Sequence, residues 1–112
     1  MKTSSAKAKG RRLQDTVKKL LLETFTILEE DDIKTAIMGE SGEDLHLSPA
    51  VRKLIPYSIE CKNQESLSIW AALKQAEENS KGYNPILIFK RNRSKTYAVM
   101  EIKEFLKLIN HE

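Results

Sequence analysis

Cysteine is nearly absent from the chain. The one thiol, Cys61, has no partner for an internal disulfide, and with only His46 and His111 beside it no Cys/His zinc cage can be assembled. Any metal must then be held by oxygen ligands. Four glycines and three prolines are too few for a fibrous or low-complexity chain. Long hydrophobic runs are missing too: stretches such as Ile55-Pro56-Tyr57 and residues 85–89 are short against the roughly 20 apolar residues of a membrane helix. The polar, basic start Met1-Lys2-Thr3-Ser4-Ser5 leads into no apolar stretch, so no secretory signal and no membrane contact are expected, and the expected location is the cytoplasm.

What remains is an ordinary globular composition, 40% hydrophobic and 31% charged over 112 residues, enough for one domain with a modest core and no large enclosed cavity. The net charge of +3 is unevenly placed. Lys2, Lys7, Lys9, Arg11, Arg12, Lys18 and Lys19 against Asp15 give the first 20 residues +6, which leaves −3 for the rest. A basic arm on a slightly acidic body suits a polyanionic partner, because clustered Lys and Arg gain most from neutralising phosphates.

Residues 1–9 lack apolar periodicity and are expected as a flexible basic leader to a domain spanning 10–112. Leu13, Val17, Leu20, Leu21, Phe25 and Leu28 recur at helical spacing, which predicts an amphipathic helix over 11–29 and a turn at the acidic run 29–32. Strands are predicted at 33–38 and 43–47, then a short helical turn opened by Ser48-Pro49, then the alternating strand 57–62. A helix over 66–79, with Trp70 on its apolar face, leads to strands at 85–90 and 96–100 joined by a hairpin loop, and an amphipathic helix at 102–109 closes the chain. The order helix, three strands, helix, two strands, helix reads as an α/β fold, a mixed sheet flanked by helices.

The chemistry concentrates in Ser58-Ile59-Glu60-Cys61-Lys62. A two-residue period puts Ser58, Glu60 and Lys62 on one face and Ile59 and Cys61 on the other, so a carboxylate and an ammonium project side by side. Asp44, after a Ser-Gly turn, is placed to bring a second carboxylate beside Glu60, and His46 shares its strand face. Two carboxylates and a backbone carbonyl are a suitable oxygen set for Mg²⁺, with Mn²⁺ as an alternative. Lys62 would orient or deprotonate an attacking water. Cys61 points away from this face and reads as a small buried apolar residue. Arg11, Arg12, Lys90, Arg91, Arg93 and Lys95 would grip a phosphate backbone.

In these segments the chain resembles the PD-(D/E)XK nucleases, which have a restriction-endonuclease-like fold, and among them the small Holliday-junction-resolvase-like proteins of phages and archaea. The resemblance covers roughly residues 9–100. Lys9-Gly10-Arg11-Arg12-Leu13-Gln14 resembles the basic opening of the first helix, Ser41-Gly42-Glu43-Asp44-Leu45 the turn that delivers a metal-binding Asp, and Ile59-Glu60-Cys61-Lys62-Asn63 the Glu-X-Lys strand. It implies that Asp44, Glu60 and the carbonyl of Cys61 bind the metal, that Lys62 positions the water, and that Gln75 stands near this site. It further implies DNA contacts through Lys9, Arg11, Arg12, Ser41, Lys90, Arg91 and Arg93. Gln14 stands where resolvases often carry a further acid. The implied function is endonucleolytic cleavage of branched or duplex DNA by a homodimer, in phage DNA processing inside a bacterial host, with no small-molecule cofactor. A sequence-reading restriction or homing-type nuclease, a nickase, and a non-catalytic DNA-binding protein remain the alternatives.

Overall fold

Leu13, Val17 and Leu21 lie four residues apart, along one side of a helix. In the computed structural model, which describes residues 2–36 and 42–110, this helix, α1, spans Lys2–Thr24 and lays Leu13 and Val17 into the core. It begins earlier than predicted, since residues 2–9 form its first turns, and it ends earlier, at Thr24, whose Oγ1 donates to the Leu20 carbonyl at 2.7 Å. The acidic run turns the chain as expected, through a single 3-10 turn at Glu30–Asp32. There the Asp32 carboxylate accepts from the Glu29 backbone N–H at 2.8 Å and from Ser48 Oγ at 2.8 Å, and these bonds hold its pKa below the ordinary value.

Strand β1, Ile33–Thr35, pairs antiparallel with β2, Leu45–Leu47, in the register Ile33 to Leu47. The end of the predicted strand at 37–38 lies outside the described residues. Ser48 caps α2, Pro49–Leu54, its Oγ accepting from the Val51 N–H at 3.3 Å, with Pro49 where its missing N–H costs nothing. Strand β3, Tyr57–Asn63, then runs parallel to β4, Asn84–Lys90, with α3, Ile69–Glu78, as the crossover. Strand β5, Tyr97–Val99, pairs antiparallel with β4, and α4 spans Ile102–Ile109. The fold is mixed α/β with flanking helices, but the five strands form two ladders, β1-β2 and β3-β4-β5, not one sheet.

The core fills one face of β3, where Ile59 and Cys61 meet Leu13, Val17, Ile33, Leu45 and Val51. On the other face α3 packs closely on β4, because the residues it buries, Ala72 and Ala76, are small. Trp70 is not in the core: it is 82% exposed. At about 100° per residue, a position two before Ala72 falls on the opposite side of the helix, and a stripe centred on Ala72 and Ala76 leaves the indole outside.

Candidate active site

Asp44 reaches β3 through its side chain. Its backbone N–H donates to the Ile59 carbonyl at 3.0 Å, and its Oδ2 accepts the Cys61 N–H at 2.7 Å. A carboxylate thus takes a position in the ladder where a carbonyl would continue it, which is why β2 and β3 do not extend into a shared sheet. Gly42 turns the chain into this approach with a φ of +102°, a conformation a side chain would strain, and a Cβ there would meet the Lys81 ammonium at 3.4 Å.

The contact sets two carboxylates against each other. Glu60, 4% exposed, has its pKa pushed up to about 7, by burial first and then by the charge of Asp44, although Asn79 Nδ2 at 3.4 Å and Lys62 pull the other way. Burial also raises Asp44, against the pull of the Cys61 N–H, Lys62 and His46. The Cys61 thiol is pushed up by burial and by both acids, so it stays a neutral apolar group, as its place on the strand face opposite Glu60 predicts. Lys62 is half-buried two residues after Glu60.

These residues suit a hard divalent cation. A desolvated acid pair whose charges oppose each other is relieved by a cation between them, and the available donors are oxygens. Among the described residues no three His, Cys, Asp or Glu side chains gather for a metal, so any such cation would rest on two carboxylates, a backbone carbonyl such as that of Cys61, and water. Gln14 adds an oxygen without a use. It is 5% exposed on α1, and its Oε1 has no hydrogen-bond partner.

Gln75, exposed on α3, shares with Lys62 the lining of a cleft of about 250 Å³. The basic segments converge on the same end of β3. Lys9 lies 3.8 Å from Glu65, its carbonyl accepts from Asn63 Nδ2 at 3.1 Å, and Glu65 also accepts the Asn92 backbone N–H. Glu65 therefore ties the start of α1 to the β4–β5 turn, bringing Lys9 and the Lys90–Arg93 stretch beside Asn63, one residue past Lys62. Arg11, Arg12, Arg91 and Arg93 are exposed, and Lys90 is half-buried. Ser41 lies outside the described residues.

Sequence reasoning passed over Glu65, Asn79 and the buried pair Glu43–Arg52. Arg52 donates to the Glu43 carboxylate and, at 2.6 Å, to the Tyr57 carbonyl, while its guanidinium lies 4.2 Å from the centre of the Tyr83 ring. Only the basic last turn of α2 hinted at it. Truncating Arg52 to Ala would leave Glu43 buried and unpaired beside Asp44. We expect a loss on the order of 3 kcal/mol in urea unfolding, with much of it recovered in the Arg52→Met/Glu43→Gln double variant.

An acid held against a Glu-X-Lys strand by its own carboxylate, between flanking helices, places the chain in the PD-(D/E)XK class of nucleases. The sequence comparison narrows this. Residues 5–112 match the family described as "Phage putative PDDEXK endonuclease", and the chain belongs to that family. No match was found among curated proteins or among solved structures. Among the described residues no helix is long and apolar enough to cross a membrane.

Proposed function

We propose that the chain is a Mg²⁺-dependent endonuclease that hydrolyses phosphodiester bonds in branched DNA, of the Holliday-junction type, as a homodimer in phage DNA processing. The observation that carries the catalytic part is the Asp44–Cys61 contact, which sets a second carboxylate beside Glu60 and Lys62. When bound, Mg²⁺ supplies a more acidic water and offsets the charge that builds on the phosphate. Asp44 and Glu60 hold it, with the Cys61 carbonyl. Lys62 directs a hydrogen bond at the attacking water, whose oxygen bonds to phosphorus as the P–O bond to the ester oxygen breaks; the proton the water gives up passes to solvent, and the leaving oxygen takes one from solvent water. Gln75 borders the same cleft and positions the phosphate or the water. The cationic side chains around Glu65 hold the backbone without reading bases.

Paired cuts at a junction need two centres related by a two-fold axis. The apolar side of α4 supports that part of the reading: Ile102, Phe105, Leu106, Leu108 and Ile109 are all about half exposed or more, and a groove of about 850 Å³ lined by Trp70, Leu73, Val99 and Met100 adjoins it.

The test is cleavage of labelled four-way junction, duplex and single-stranded DNA with Mg²⁺, Mn²⁺ or EDTA. Metal-dependent, symmetrical cuts confined to the junction are expected, with two copies per junction by sedimentation. Cuts following one duplex sequence would favour a restriction-type enzyme, and a single copy making single cuts a nickase. DNA bound but never cut under any metal would make the chain a non-catalytic binder, and Gln14 the residue to restore to Glu.

A further inference from the structure

A row of side chains crosses the sheet from Lys62. The parallel register of β3 and β4 sets Lys62 beside Phe89, and the antiparallel register of β4 and β5 sets Phe89 beside Tyr97. Register partners share a face, so all three project to the side that carries Glu60. Strands about 4.8 Å apart put Tyr97 about 10 Å from Lys62 in backbone position. The Phe89 and Tyr97 rings are 6.1 Å apart at 35°, and Tyr97 is 54% exposed. They wall a cleft of about 370 Å³, with Lys90 and Arg91 also in its lining. Gln64 and Leu67 line both this cleft and the one holding Lys62 and Gln75, so the two adjoin.

A half-exposed tyrosine on a partly buried phenylalanine, beside cations and next to the proposed cleavage centre, suits a base with an uncovered face. In a continuous duplex both faces of each base are taken by its neighbours. An unstacked base can lie on a tyrosine while its phosphate meets Lys or Arg. At about 3.4 Å per stacked nucleotide, 10 Å spans at most some three nucleotides along a strand, and fewer where the strand is unstacked. Resting on the nuclease reading above, we propose that the Phe89–Tyr97 cleft binds an unpaired nucleobase of the strand being cut, within about three nucleotides of the scissile phosphate. The substrate class is then DNA with unpaired nucleotides beside the cut, as at a flap or an opened branch point.

The test uses the full chain in EDTA, so that binding is read without chemistry. One probe is a duplex with a short single-stranded flap carrying 2-aminopurine in turn at the first three unpaired positions; the other is the same sequence fully paired. The wild-type chain should prefer the flap and quench the fluorophore at one position. Tyr97→Ala should lower that preference roughly tenfold and lose the quenching, while Tyr97→Phe keeps both. Two results would overturn the inference alone: a wild-type chain that cuts DNA but shows neither preference nor quenching, or Tyr97→Ala keeping both. An aromatic pair serving only the hairpin would give that second result, with a change in stability. A wild-type chain that binds no DNA in EDTA and cuts none with Mg²⁺ or Mn²⁺ would remove the nuclease reading and this inference together.

Discussion

Lys62→Ala is expected to lower the rate of phosphodiester cleavage roughly 10²- to 10⁴-fold, the range for losing one positioned proton-handling group. In the proposed mechanism the ammonium acts on the water and the cations around Glu65 carry the affinity for DNA, so the loss should fall in kcat. Asp44→Asn separates the roles further. The amide oxygen can still accept the Cys61 N–H, so the strand contact survives, but the charge that would hold a cation is gone. Its cleavage should recover in part at higher Mg²⁺ or with Mn²⁺, whereas that of Lys62→Ala should not. Single-turnover cleavage across a metal titration distinguishes the two. Lys62→Ala cutting at the wild-type rate would show that the centre lies elsewhere.

The residues that carry this prediction were legible in the sequence because strand alternation is local. Once 57–62 reads as a strand, Glu60 and Lys62 must share a face, and Cys61 must take the other. The approach of Asp44 to Glu60 was expected only from the Ser-Gly turn and the order of the motifs, and its bond with the Cys61 N–H was not expected at all, since a contact across 17 positions leaves no periodic trace. For the same reason Glu65, which binds Lys9 and the Asn92 N–H, looked like one more surface acid, although it joins the two basic segments. Trp70 was misplaced because hydrophobicity and burial are different properties. The helix could hide only a narrow stripe, and Ala72 and Ala76 took it by fitting closer to β4. The division of the strands into two ladders escaped prediction because a side chain, Asp44, replaces a backbone acceptor.

The second large effect is on stability. Glu60 has an ordinary pKa of 4.5 and is held at about 7 in the folded chain, so between these values the folded state keeps a proton that the unfolded state has released. Stability is then full below about pH 4.5 and falls as pH rises toward 7, where the folded chain must ionise a buried acid beside Asp44. The shift corresponds to something on the order of 3 kcal/mol, so the metal-free protein should unfold at markedly less urea at pH 8 than at pH 5. Asp44, raised in the same sense, adds to the fall. Glu60→Gln keeps an acceptor for Asn79 and cannot ionise, so it should be more stable than the wild type at pH 8, with only the part of the fall that belongs to Asp44 left. Mg²⁺ completes the argument. A cation at about 100 times its Kd stabilises the state it binds by about 2.7 kcal/mol, so the wild type at pH 8 should regain with Mg²⁺ much of what it loses without it, and Glu60→Gln should gain far less. A variant that is more stable and also unable to cut would show that the acid is held at this place for its charge and against the interest of the fold. A wild type no less stable at pH 8 than at pH 5 would mean that Glu60 is solvated, and that the pair is too open to hold a cation in this way.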